Sequence, residues 1–206
     1  MEAHISPAAA TDRGEASRQH ILTVAALAFA EHGYNGVSLN DIVRDTGLTK
    51  GAFYFHFPSK EALALDVFGT KQEQWQASIL AVMQEHTRAI DRLNAMLDCG
   101  CEMYEVDASA RVVGRLCVEL ARERRLAPRL TGYLRVWFEM VAELIRTAQE
   151  EGDARTGLDP QTTAEVIVSA FIGVEQVSDA LTELGDFRAR IENMRTFVMA
   201  AVRPGP

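Results

Sequence analysis

Between Thr46 and Lys60 the chain carries Lys50, His56 and Lys60, with Tyr54 among them and no Asp or Glu. Two ammonium groups, an imidazole and a phenol, with no carboxylate nearby, suit contact with phosphate oxygens and base edges. Chemistry of bond making finds no such support elsewhere. There is no Gly-rich phosphate loop, no G-x-S-x-G and no H-E-x-x-H. The histidines at 4, 20, 32, 56 and 86 are scattered. Cys99 and Cys101 lie at i and i+2, which points two thiols poorly toward one metal on a helix, and no cation adjoins them to activate a thiol. No enzyme, metal site or cofactor is expected, and a thiol redox sensor has little behind it.

The segment that holds these groups must be positioned. In GAFYFHF, Phe53, Phe55 and Phe57 alternate with Tyr54 and His56, the period of a strand. The flanks argue for a helix. Ser38-x-x-Asp41 fits a capping box opening a helix with Leu39, Ile42 and Val43 as its apolar face. Gly47 stops it. Thr49 is placed to cap a helix from Lys50, Pro58 ends that helix, and Ser59 caps another from Lys60. A helix, a turn with Gly and a short second helix make a helix-turn-helix. Upstream, Ile21, Leu22, Ala25, Ala26 and Phe29 form one apolar stripe from Ser17, ending at Gly33 as a left-handed cap. Phe29, Val43, Leu48, Phe53 and Phe57 are expected in the core. Phe55 and Phe57 are expected where the helix unwinds before Pro58.

The remaining sequence is helical, with segments expected near 60–86, 88–106, 109–125, 129–151, 160–184 and 187–202. The expected organisation is all-α: a disordered arm at 1–16, a helix-turn-helix unit at 17–67 and a larger helical unit at 68–203. No apolar run approaches the roughly 20 residues of a membrane span. The N-terminus lacks a cationic start followed by an apolar core, so no signal peptide is expected. Three cysteines make no disulfide framework, and a reducing cytoplasm is the simplest setting.

The net charge is −8, and residues 1–67 hold five Lys/Arg against eight Asp/Glu. Nucleic-acid binding must then rest on local geometry rather than bulk charge. Thr49, Lys50, Gly51 and Ala52 would present the N-terminus of the recognition helix to a major groove. Lys50 reaches either a phosphate or a guanine edge. Gly51 permits close approach of backbone either to DNA or to the preceding helix. Tyr54, His56 and Lys60 are phosphate candidates, as are backbone N–H groups at Ser38 and Ser59. Arg13 and Arg18 are placed to reach flanking backbone. Against this stand plain readings: Tyr54 as a packed aromatic, His56 as a helix end, Lys60 on a solvated face.

From Arg18 to Leu65, through HGYNGVSLNDIVRDTGLTKGAFYFHFPSKEAL, the chain strongly resembles the DNA-binding domain of TetR-type transcriptional repressors. In the larger unit, VVGRLCVELARE, Trp137, AQEEGDARTGLDP and AFIGVEQVSDAL resemble the γ-butyrolactone-receptor branch of that family. Those receptors govern antibiotic production in actinomycetes and bind γ-butyrolactones, furans or butenolides. The resemblance implies a homodimer on double-stranded pseudo-palindromic operator DNA, released by a small diffusible ligand through a pendulum movement of the fourth helix. It implies a dimer bundle of the last two helices, with Ile167, Phe171, Val174, Val177, Leu181 and Phe197 at the interface. Helical spacing alone leaves that stripe equally free to fill an intramolecular core. The acidic charge fits ligand-binding receptors better than their basic, ligand-insensitive relatives.

A pocket should be apolar with few polar groups. Trp137 is its leading wall residue, as in receptors of that branch. Around it are expected Leu134, Met140 and Val141, then Arg115, Cys117 and Glu119. Phe171, Glu175, Gln176 and Asp179 come from the penultimate helix. Gln72, Trp75, Ile79 and Met83 come from the first long helix, and Met96, Cys99 and Met103 from the next. Where furan receptors would carry polar groups, Gln72, Cys117 and Leu134 stand here, which favours a γ-butyrolactone or butenolide. The competing readings are a ligand-independent regulator, a TetR-type repressor of another apolar ligand, and a helical dimerisation module without DNA binding.

Overall fold

The computed structural model describes residues 7–204, with side chains from residue 14 onward except that of residue 108. Its helices are α1 (Pro7–Gly36), α2 (Leu39–Thr46), α3 (Lys50–His56), α4 (Lys60–Gln84), α5 (Ala89–Val106), α6 (Arg111–Ala121), α7 (Ala127–Glu150), α8 (Pro160–Thr182) and α9 (Phe187–Val202). A short 3-10 turn, Ala108–Ala110, leads into α6. No strand occurs among the described residues.

The caps fall where the polar residues put them. The Ser38 hydroxyl accepts from the Asp41 N–H while Asp41 accepts from the Ser38 N–H, a complete capping box. Gly47 closes α2 at φ 67°, a left-handed conformation that glycine adopts without a Cβ penalty. Thr49 accepts from the Ala52 N–H, and Ser59 from the Ala62 N–H. The aromatic segment is helix, not strand, and Phe57 is its extended C-cap.

Two boundaries differ from expectation. The part of the expected arm from Pro7 onward is helix, because proline suits a first helical turn and the Ala-rich run that follows favours helix; residues 1–6 lie outside the described residues. At Gly33 (φ 74°, ψ 171°) the backbone leaves helical geometry, so the long helix of α1 stops where expected, with an extended ψ in place of the left-handed cap, and a short helical stretch to Gly36 follows across the kink. The helix expected at 109–125 is α6 alone, since residues 121–125 are all exposed and have no apolar surface to bury.

One core runs through the whole chain. In its N-terminal part Ile21, Ala25 and Phe29 of α1 meet Ile42, Phe53, Phe57 and Leu63, all nearly without exposure. Val43 is buried there, and Leu48 packs partly against it. α4 continues from this part into the larger bundle, with Leu63, Leu65, Val67 and Phe68 buried. α6 lies centrally and packs on α1, α4, α7 and α8, while α8 packs on α7 and α9. Burying its apolar face among these helices makes α6 a shared wall. On the outside of α8 and α9, Val166, Val177, Leu181 and Phe197 are exposed, the last at 77 %. Ile167 is not part of that face: it is 2 % exposed and lies inside the chain. Phe171 also turns inward, its ring 5.7 Å from that of Phe187.

Candidate nucleic-acid interface and interior cavity

α3 divides cleanly. Phe53 faces the core, while Lys50, Gly51, Ala52 and Tyr54 are exposed together with the cap Thr49. A Cβ built on Gly51 would meet nothing within 4 Å, so the glycine does not serve close packing on α2. The backbone there is open to the outside. Tyr54 stands edge-on to Phe53, with centroids 5.8 Å apart, and its remaining surface is free. His56 stacks edge-on to Phe55. Phe55 is 83 % exposed, a large apolar ring held in solvent beside the cationic groups, and the sequence reading gave it no contact role.

Three expected contacts are engaged within the chain. The Arg18 guanidinium pairs with Asp66 at 2.9 Å and lies over the Phe57 ring, bracing α1 against α4. The Ser38 N–H and hydroxyl both go to the Asp41 carboxylate, which these bonds hold below the usual carboxylate range. Neither group of Ser38 is thereby free for a phosphate. The Lys60 ammonium sits 4.5 Å from the Tyr34 ring centroid. Partial burial lowers its pKa, with Glu119 opposing. The side chain of Arg13 lies outside the described residues.

The second site is a cavity of about 80 Å³ inside the larger unit. α4 supplies Gln72, Trp75 and Ile79; α5 supplies Met96, Leu97, Gly100 and Tyr104. Val113, Gly114 and Cys117 come from α6, and Leu134 and Trp137 from α7. α8 closes it with Ile167, Val168, Phe171, Ile172 and Glu175. The Trp137 indole N–H donates to Gln72 Oε1 at 2.6 Å. Trp75 stands edge-on to Tyr104, and Tyr104 edge-on to Phe187. Burial raises the Tyr104 phenol well above its ordinary range, and the nearby Glu175 carboxyl adds to this.

Of the residues expected here, Gln72, Trp75, Met96, Cys117, Leu134, Trp137 and Phe171 line the cavity, as do Ile79 and Glu175. Met83, Cys99 and Val141 are buried in the core but lie off the cavity, and Met103 and Met140 pack partly against that core. Gln176 adjoins it indirectly, donating to Glu175. Arg115 and Glu119 point the other way along α6. Arg115 holds Asp179 at 2.9 Å and donates to the Glu31 carbonyl at 2.8 Å. Glu119 accepts from the Asn35 backbone N–H at 3.0 Å and from its side chain at 3.1 Å. These bonds fasten α6 to the end of α1.

Leu97, Gly100, Tyr104, Val113, Gly114, Val168 and Ile172 were missed, and Ile167, expected at a dimer interface, also lines the cavity. Two helical glycines were the available signal. A Cβ on Gly100 would stand 2.8 Å from the Phe171 ring, and one on Gly114 would collide with the Glu175 carboxylate. Glycine inside a helix costs roughly 1 kcal/mol, and here it makes room for the walls. The three cysteines are buried and free, and burial raises all three thiols, Cys101 and Cys117 to about 11. Such thiols stay protonated and unreactive. No group of three or more His, Cys, Asp or Glu capable of holding a metal occurs among the described residues. None of the described helices is long and apolar enough to cross a membrane.

Residues 21–67 match the pattern of the bacterial regulatory proteins of the tetR family. The chain is 28 % identical over 195 residues to the A-factor receptor protein of Streptomyces griseus, which covers 90 % of this chain and 63 % of that protein. It is 28 % identical over 160 residues to the transcriptional repressor DhaR of a Mycobacterium, 76 % of this chain and 79 % of that one. Among solved structures, one from work on control of antibiotic production by bacterial hormones is 31 % identical, with a TM-score of 0.77 over 91 % of this chain and 97 % of its own. TylP, a TetR regulator from Streptomyces fradiae, is 29 % identical with a TM-score of 0.74 over 93 % and 89 %. A helix-turn-helix braced on a helical bundle, matched over both parts by these relatives, places the chain in the TetR family of transcriptional regulators, which are not enzymes.

Proposed function

We propose that this protein is a repressor that binds a pseudo-palindromic operator as a homodimer and is released by a small apolar autoregulator. Residues 17–67 bind DNA and residues 68–203 bind ligand and dimerise. One observation carries the reading: α6 forms a wall of the cavity with Val113, Gly114 and Cys117, and the same helix grips the end of α1 through Arg115 and Glu119. A ligand that displaces this wall moves the helix-turn-helix unit with it. It shifts the equilibrium only if it binds the non-DNA conformation better.

The cavity measures about 80 Å³, against roughly 300–1,000 Å³ for ordinary small-molecule sites. A ligand must therefore push its walls outward, which suits a release mechanism. The name of the A-factor receptor and the bacterial-hormone work on a similar structure support a γ-butyrolactone, butenolide or furan as the ligand class, and antibiotic or other secondary-metabolite genes as the target. Leu134 and Ile172 in the wall favour the more apolar members. The exposed apolar face of Val166, Val177, Leu181 and Phe197 supports a dimer bundle of α8 and α9, with Val174 at its margin. Lys50, Gly51, Ala52, Tyr54 and Phe55 are the groups offered to the groove, with Thr49, His56 and Lys60 beside them. A regulator that no longer answers a ligand is the second reading, favoured by the small cavity alone.

Fluorescence anisotropy on DNA from upstream of the protein's own gene, at fixed salt, tests the proposal. Tight binding reversed by one of the three ligand classes supports it. Tight binding that none of them disturbs supports the second reading.

A further inference from the structure

A fully buried carboxylate oxygen in the cavity wall lacks a hydrogen-bond partner. Glu175 on α8 is 1 % exposed and lines the cavity. Its Oε2 accepts from the Gln176 side chain at 2.5 Å, and its Oε1 has no partner. α6 leaves a notch for this carboxyl at Gly114, where any side chain would collide with it. The surrounding wall is apolar: Leu134, Ile167, Val168, Phe171 and Ile172. Of the other polar groups in the wall, Gln72 Oε1 already accepts from Trp137, and the Tyr104 phenol lies near the Glu175 carboxyl. A buried acceptor without a partner is costly, and one that faces a cavity is placed to take a hydrogen bond from an occupant.

Resting on the receptor reading above, we infer that Glu175 selects the ligand: its free oxygen takes a hydrogen bond from a hydroxyl of a neutral, otherwise apolar molecule, and it turns away carboxylates. Three ligand chemistries separate here. A carboxylate ligand would set like charges together in a dry site. An ammonium ligand would have to ionise Glu175 against the burial that pushes its carboxyl up to about 7, and would bury a second charge among apolar side chains. Positive charge is also already present: Arg115 pairs with Asp179 one turn along α8, and Arg111 lies beside it. A hydroxyl donates to the ionised form and accepts from the protonated one, so it satisfies both. The titratable groups around Glu175 are Asp179 on its own helix, Arg111, Arg115 and Cys117 on α6, and Tyr104 on α5.

The full chain contains two tryptophans, Trp75 and Trp137, and both line the cavity. Intrinsic fluorescence therefore reports occupancy without DNA. The probes are an alkyl γ-butyrolactone with one side-chain hydroxyl, its ketone counterpart, an alkyl-furan carboxylic acid and an alkylammonium. They are titrated at pH 8 into wild type, Glu175→Gln and Glu175→Leu, each checked for cooperative melting. Wild type should bind the hydroxyl lactone about tenfold or more tighter than the ketone, as one hydrogen bond to a charged group predicts, and should leave the acid unbound. Glu175→Leu should equalise hydroxyl and ketone. Glu175→Gln should keep the hydroxyl preference and admit the acid. Equal affinity for hydroxyl and ketone in both wild type and Glu175→Leu overturns the assignment and leaves the receptor reading standing. Tighter binding of the ammonium than of the hydroxyl lactone overturns the neutral-ligand assignment. Binding of no probe overturns the receptor reading and this inference together.

Discussion

The indole of Trp137 and the amide of Gln72 are joined by a 2.6 Å hydrogen bond that ties α7 to α4 across the cavity wall. α4 begins at Lys60, directly after the recognition segment. Trp137 shares the cavity wall with Gln72, Trp75 and Ile79 of α4, so that wall belongs in part to the helix that follows the helix-turn-helix. Trp137→Ala should leave operator affinity within a few-fold of wild type and abolish ligand release in the anisotropy assay. Trp137→Phe, which keeps an aromatic ring and removes the N–H, should retain weakened release. Loss of DNA binding in both would show that the pair supports the fold instead.

Lys50 and Phe55 test the recognition helix in different ways. Lys50→Ala should weaken binding and make log affinity fall less steeply with log salt, the slope dropping by about one as one phosphate goes unneutralised. Phe55→Ala should leave the salt slope unchanged. If its ring meets thymine methyl groups, the loss of affinity should be confined to operators with T at those positions. Tyr54→Phe distinguishes a phosphate contact through the hydroxyl from simple packing.

Arg18 should behave as a brace. Arg18→Ala removes the pair with Asp66 and the packing on the Phe57 ring. A half-exposed pair of this kind is worth about 1 kcal/mol, seen as a lower urea midpoint. The salt slope of operator binding should not change, whereas removal of a phosphate partner would reduce it.

The outer face of α8 and α9 predicts association. Leu181→Glu with Phe197→Glu should convert a dimer to a monomer by sedimentation equilibrium and weaken binding to a pseudo-palindromic operator, with the melting of each subunit nearly unchanged, because both side chains are exposed. Ile167→Glu should instead prevent folding, since that residue is interior.

Glu175 sets a pH dependence of stability. Its carboxyl titrates near 7 when folded, raised chiefly by burial, against an ordinary value of about 4.3 unfolded. Between those values the folded chain holds a proton that the unfolded chain has lost. Stability should therefore fall as pH rises from about 4.5 to 7, by on the order of 3 kcal/mol, and level off above. Glu175→Gln should flatten the curve. Melting temperatures at pH 5 and pH 8 measure it.

Capping residues were the most legible part of the sequence. Ser38, Asp41, Gly47, Thr49 and Ser59 act on backbone groups three or four residues away, so local spacing suffices to place them. The same signals overrode the strand period of Phe53, Phe55 and Phe57. The cavity was legible only in part, because its lining depends on how each helix is rotated against the others. Cys99 was expected in the wall, yet its neighbour Gly100 is there; Val141 was expected, yet α7 reaches the cavity only earlier, through Leu134 and Trp137. α8 was hardest, since it is apolar on more than one side. Ile167 and Phe171 face inward while Val177 and Leu181 face outward, and a single helical stripe cannot separate the two sets. Arg18, Arg115 and Glu119 read as free polar groups until partners far along the chain came into place.

The buried, protonated cysteines leave the surface of this protein silent toward maleimide and methanethiosulfonate reagents. A single cysteine placed on the exposed face of α3, at Ala52 for example, would then carry a spin label alone, with the native thiols untouched. In a dimer the two labels form one pair, and their separation is the spacing of the two recognition helices. Double electron–electron resonance on that pair would turn the release of DNA into a distance distribution, read before and after ligand in the same sample.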